Sequence, residues 1–255
     1  MRAFALPAAV LLSLCLYMPL PSLPQRLHHL FTHLHSSAAA MLKNKQIDQR
    51  HALFVTLALT GLVSALLSAI HPLVCAVITA PLFTFSAVMP GCAKAKDELD
   101  SGRYARDIPA YEAIVRENCL SLAPAFLEGC FAPLLLIAAG MPLYLGAALG
   151  YMYAALCALA PQDARAKRLL SAVHRAADKV FSAMLALCAG LVGRNPLRIH
   201  AKTAQERLIR TLGIAGDRTD THAPMSGDIA QGIFVCSFAA GLLCVMLTLV
   251  LLAVC

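Results

Sequence analysis

The sequence predicts an all-α, polytopic integral membrane protein with about five to six membrane segments, two of the segment pairs being helical hairpins. Three observations predict it. Apolar residues make up 59% of the 255 positions and charged residues only 14%, against roughly 45–50% and about 25% in soluble domains. Two apolar runs, Ala52 to Met89 and Cys119 to Ala160, are each about two spans long. The first holds no Asp, Glu, Lys or Arg, and the second holds only Glu128. Each run carries a proline break near its middle, where a helix must end or turn.

The elements follow in order within a single membrane domain, residues 1–255. Residues 3–23 are apolar behind Arg2. They lack a small-x-small cleavage site, so a retained membrane segment is expected rather than a cleaved leader. Gln25 to Arg50 is polar, basic and rich in His, and is expected as a solvated interfacial helix. Residues 52–70 and 73–90 form the first expected hairpin, turning at His71-Pro72. Gly91 to Asn118 is polar. Residues 119–139 and 142–160 form the second hairpin, broken at Gly140-Met141-Pro142. Gly146 and Gly150 make a GxxxG step that permits close helix approach in lipid. Pro161 to Lys179 is basic. Residues 180–192 are apolar but too short to span, and 229–255 is long enough to span once.

The net charge is +7. Every Lys and Arg lies outside the long apolar runs, so the excess marks cytoplasmic loops rather than a nucleic-acid surface. If both long runs are hairpins, all four polar segments face the cytoplasm, and the expected location is the cell membrane. The ten cysteines sit mostly inside apolar runs with no CxxC pair, and are expected as small packing residues.

Few motifs carry chemistry. His29 and His33 are spaced i, i+4 within the cluster His28, His29, His33 and His35, but no nearby carboxylate or thiol completes a metal site. Glu128 is a carboxylate inside a membrane-length apolar run, where ionisable groups are costly and mark function. Asp178 follows Arg175 at i, i+3, a spacing that suits a local ion pair. Arg194-Asn195-Pro196-Leu197-Arg198 opens a basic loop whose arginines suit phosphate or carboxylate. No GxxxxGK[ST], GxGxxG, GxSxG or HExxH occurs, which removes the P-loop, Rossmann, elbow-hydrolase and zincin classes.

Four stretches resemble the membrane-bound cobinamide-phosphate synthase family of cobalamin biosynthesis. They are Pro19 to Arg26; Glu128-Gly129-Cys130-Phe131-Ala132-Pro133-Leu134 with Gly140, Pro142 and Leu143 after it; His174-Arg175-Ala176-Ala177-Asp178; and Asn195-Pro196-Leu197-Arg198-Ile199. The resemblance implies a ligase-type amide synthase joining an aminopropanol or its phosphate to a propionate of the adenosylated corrin, cobyric acid to cobinamide. It implies Glu128 and Asp178 as catalytic residues, and Arg175, Arg194, Asn195 and Arg198 as substrate-binding residues. ATP and Mg2+ are the implied cofactors, with no metal ligands assigned. The implied partners are the lipid bilayer, a corrinoid and other membrane proteins of the pathway, and no nucleic acid. The family's Asp-Asp pair stands here as Ala177-Asp178, and its Glu-Asn pair is displaced upstream to Glu117-Asn118. These departures imply a second expectation, a catalytically degenerate regulatory or scaffold member of the same superfamily.

Overall fold

A computed structural model of the chain describes residues 2–17, 22–44, 51–87, 89–102, 104, 107–192, 199, 201–214 and 223–254. The described residues contain no strand. Their helices run α1 (Ala5–Tyr17), α2 (Leu23–Asn44), α3 (Ala52–Ala69), α4 (Pro72–Thr79), α5 (Met89–Asp100), α6 (Ile108–Phe126), α7 (Ala132–Gly140), α8 (Gly146–Leu159), α9 (Ala164–Cys188), α10 (Ala204–Leu212) and α11 (Ser226–Val254). A π-turn, Leu127–Phe131, joins α6 to α7 without a break in the helix. Three helical stretches are long and apolar enough to cross a membrane: Ala52–Ala69, Ile108–Leu143 and Ser226–Val254. α3 exposes Leu59, Leu62, Val63 and Leu66, and α11 exposes Val245, Leu249 and Val250. In water such apolar belts would be a liability, whereas lipid covers them at no cost.

The chain divides into two compact units. The first comprises Met1–Thr84, Ala132–Arg175 and Cys244–Cys255. Its packed centre is Phe31 of α2, Leu53 and Leu57 of α3, Ala155, Leu156 and Leu159 of α8, and Ala166 of α9. α3 carries hydroxyls through apolar surroundings by turning them onto its own backbone. Thr56 donates to Ala52 O at 2.8 Å, Thr60 to Thr56 O at 2.9 Å and Ser64 to Thr60 O at 2.7 Å. Those bonds remove the penalty of an unpaired polar group away from water. Helix contact in lipid rests on close fit rather than on hydrophobic drive. A Cβ on Gly61 would lie 3.1 Å from Met152 Sδ, so α3 and α8 meet where a side chain is missing.

Both expected turns form. His71 is extended, and its Nδ1 accepts from Leu73 N at 3.2 Å; Pro72 then starts α4 where no N–H is needed. At the second turn Leu145 N donates to Gly140 O at 2.8 Å, and Tyr144 takes the left-handed conformation at φ 62°. A Cβ on Gly140 would stand 2.7 Å from Leu145 C and 2.8 Å from Gly146 N. The GxxxG step also does what its spacing suggests: Cβ atoms on Gly146 and Gly150 would both press on Ile137 of α7.

Three boundaries differ from the sequence expectation. The arm expected over 73–90 is not one helix. α4 has eight residues, followed by 3-10 turns at Ala80–Leu82 and Thr84–Ala87. Pro81 removes a donor there, and Tyr151 OH donates to Ile78 O at 2.8 Å in its place. The segment 180–192 is not a separate short helix behind a basic loop. Up to Cys188 it is the end of α9, a single amphipathic helix of 25 residues. Ala166, Ala177, Phe181, Met184, Leu185 and Cys188 are buried along one side, a 3.6-residue period that runs on through the basic stretch. The arm expected over 119–139 starts earlier, at Ile108 in α6, and the π-turn carries it on into α7.

The second unit comprises Phe85–Phe131 and Ala176–Leu243. Phe85 packs on Phe126 with ring centroids 5.4 Å apart. α10 buries Leu208, Ile209 and Leu212 and turns Glu206 and Arg210 outward as an ion pair of 2.6 Å. A Cβ on Gly232 of α11 would lie 2.9 Å from Leu122 Cδ1.

Candidate functional site

Glu128 sits on the π-turn and is exposed. The π-turn lies between two prolines, Pro124 inside α6 and Pro133 in the first turn of α7. Each proline withholds one N–H from the helix ladder, and the wider i→i+5 turn accommodates the mismatch. Single π-turns inside α-helices recur at functional sites because they re-aim side chains. Here the turn brings a carboxylate to the surface of an apolar helix, while Gly129, Cys130 and Phe131 beside it are buried.

Asp178 lies on α9. Its Oδ1 accepts from Ala204 N at 3.0 Å, and Thr203 Oγ1 accepts from Glu206 N at 3.2 Å. The two side chains together satisfy amide donors at the start of α10. In place of the i, i+3 ion pair the spacing suggests, Asp178 serves a neighbouring helix. Arg175, exposed, donates from Nε to Ser171 O at 3.3 Å. Arg194, Asn195 and Arg198 lie outside the described residues.

The two candidate acids are linked through aromatic rings. Phe131 and Phe181 stack with centroids 4.1 Å apart and planes at 27°. Each ring lies three residues after its acid, so the stack holds the Glu128 turn and the Asp178 turn to one another's helices. Beside them, Gln205 Nε2 donates to Leu120 O at 3.1 Å, the carbonyl that Pro124 leaves without a helical donor. Arg207 donates to Ser182 Oγ at 2.8 Å and to Ile199 O at 3.1 Å. It thereby ties Ile199 to α9 and α10.

The sequence gives no local signal for Gln205 or Arg207, because their partners lie 85 and 25 residues away. The same holds for Tyr153 and His174, whose hydroxyl and Nε2 stand 2.9 Å apart in the first unit. His28, His29 and His33 are exposed on α2, while His35 Nδ1 stands 3.5 Å from Thr56 Oγ1. Among the described residues no group of three or more His, Cys, Asp or Glu side chains is placed to hold a metal ion.

A nucleotide with Mg2+ needs an anion cradle and at least one free carboxylate. The N-terminus of α10, the one nearest the candidate acids in these contacts, already has donors committed to Asp178 and Thr203. Glu206 is likewise held below the usual carboxylate range, first by the Lys202 backbone N–H and then by Arg210. The α10 N-terminus and Glu206 are therefore both engaged within the protein. No protein-family model, curated protein or solved structure matches the chain.

Proposed function

We propose that the chain is a multi-pass protein of the cell membrane that forms an amide in cobalamin biosynthesis, attaching an aminopropanol unit to the adenosylated corrin. One observation carries the reading: Glu128, an exposed carboxylate on a π-turn halfway along an apolar helix. It opens the Glu-Gly-x-x-Ala-Pro-Leu segment on which the family resemblance rests. In this role Glu128 would take the proton that the amine loses as its nitrogen bonds to the activated propionate carbon and the activating group leaves with one carboxyl oxygen. Activation itself is the chemistry that ATP and Mg2+ supply, and no step here is assigned to them. Arg175, with Arg194, Asn195 and Arg198, would face the phosphate or the corrin carboxylates.

A specific observation favours the second reading, a non-catalytic regulatory or scaffold protein. The Asp178 carboxylate is engaged in capping α10, which is a structural task. Complementation separates the two. A strain lacking the synthase, supplied with cobyric acid, should grow when it carries this chain. It should not grow with Glu128→Gln, although the variant accumulates in the membrane to the same level. Growth with the Gln variant would demote Glu128 to a structural residue. No growth with the parent chain would move the assignment to the non-catalytic reading.

A further inference from the structure

We propose that the cleft at the polar end of α6 binds a small organic cation, a primary or quaternary ammonium. The cleft is about 270 Å³, opens to solvent, and is lined by Tyr104, Ile108, Tyr111, Glu112, Ala223 and Pro224. Among the described residues its walls are two phenol rings, aliphatic carbon and one carboxylate. Ammonium ions suit that composition. Aromatic rings attract them, carbon walls accept their alkyl groups, and a single carboxylate balances their charge. Among the described lining residues Glu112 is the one charged group, and its sign favours a cation.

The carboxylate is available, which is the second observation. The acids around the cleft are otherwise engaged. Asp107 Oδ1 accepts from Ala110 N at 3.1 Å. Asp228 Oδ2 accepts from Met225 N at 2.8 Å. Asp100 holds Lys96 Nζ at 2.6 Å and accepts from Ser226 Oγ. Glu112 has no hydrogen bond or ion pair with any described residue. It stands half-buried in the first turns of α6, one residue from Tyr111.

The third observation is that the far wall is fixed without a ligand. Tyr111 OH accepts from Ser226 N at 2.8 Å, and Ser226 Oγ donates to Asp100 of α5. The Ala223-Pro224 segment, which lines the cleft with Glu112, is thereby anchored through Ser226 to both α5 and α6. A site ordered in advance loses less on binding than one that must assemble. The inference goes beyond the proposed function: Glu112 precedes Glu128 by 16 residues of one helical stretch, about 24 Å, so the cleft is a site apart from the one proposed for amide formation.

The chain has no Trp and six Tyr, two of which, Tyr104 and Tyr111, line the cleft, so a ligand there changes the tyrosine emission of the protein in detergent micelles. The protein is titrated with tetramethylammonium chloride and with 1-amino-2-propanol, against sodium chloride at matched ionic strength. A saturable change at millimolar concentrations is expected with both amines. Glu112→Gln should weaken it about five- to tenfold, the value of one partly screened ion pair. Glu112→Asp should retain most of the binding, and Tyr104→Leu should lose most of the signal amplitude. Thermal melting checks that each variant is folded. No response beyond sodium chloride, or an equal response in Glu112→Gln, overturns the cleft assignment. Amine binding with failed complementation would keep the cleft and sink the synthase reading. Complementation without amine binding would do the opposite.

Discussion

Pro124 stands inside α6 and has no N–H to give to Leu120 O, and Gln205 of α10 gives one instead at 3.1 Å. Gln205→Leu nearly keeps the volume of the side chain, is one atom shorter and removes the donor. A lost neutral hydrogen bond is worth about 0.5–1.5 kcal/mol, and a carbonyl left buried without a partner costs about 1–3 kcal/mol. Both Leu120 and Gln205 are half-buried, so the expected loss is about 1–2 kcal/mol. Pro124→Ala restores the backbone N–H and with it the i→i−4 bond to Leu120 O. In that background Gln205→Leu should cost less than about 0.5 kcal/mol, giving a coupling of about 1 kcal/mol across the four proteins. The assay is reversible unfolding in mixed micelles by added SDS, followed by helix circular dichroism. Equal costs of Gln205→Leu in the two backgrounds would falsify the idea that Gln205 serves the orphaned carbonyl.

Gly140→Ala should lose about 3 kcal/mol or more, at the upper end of overpacking costs, because the added Cβ meets backbone atoms of Leu145 and Gly146 that cannot rotate away; wild-type melting would refute it. Asp178→Ala should destabilise by about 1 kcal/mol through the lost cap on Ala204 N, read as faster hydrogen exchange confined to α10. The Asp100 carboxylate is held low, first by the hydrogen bond from Lys96 and then by that from Ser226. Its contribution is present above the ordinary value of 3.8 and fades as pH falls through the lower folded value. The stability gap between the parent and Asp100→Asn should therefore close in strong acid, and a gap that survives there would refute the tie. Single cysteines at Lys45, Asp100, Lys167 and Arg207, in a Cys-free background, should all resist labelling from outside intact cells; one labelled position breaks the hairpin scheme.

The helical character and both turns were legible because proline, glycine and the absence of charge act locally. His71-Pro72 must leave the helix whatever surrounds it, and Gly140 through Pro142 must turn. Glu128 was legible for the same kind of reason, as a lone charge in an apolar run. Its π-turn was not, because a widened turn depends on two prolines nine residues apart and on the packing around them. α9 was misdivided because mean hydropathy changes near Lys179 while the 3.6-residue period does not. Asp178 was found by a short motif, but the motif suggested the wrong partner. Its partner on α10 is 26 residues away, and nothing in the local sequence announces a helix cap supplied from another helix.

Helix length bears directly on the topology. α3, with 18 residues, is about 27 Å long, close to the roughly 30 Å of the hydrocarbon core. α8, with 14 residues, reaches only about 21 Å, and α4 with its 3-10 turn is shorter still. A crossing that relies on such an arm leaves irregular backbone at membrane depth, which is tolerated only where protein covers its polar groups. The breaks here meet that condition from within the first unit. Tyr151 OH reaches Ile78 O, His71 Nδ1 receives Leu73 N, and Gly140 O receives Leu145 N. Of the two short arms α8 is largely buried against longer neighbours, whereas α4 keeps Leu73 and Val77 exposed. Placing all four polar segments on one side requires α4 and α8 to complete a crossing, and neither is long enough alone. Asp100 and Lys167, the labelling positions that follow those two arms, are where the hairpin scheme is most exposed.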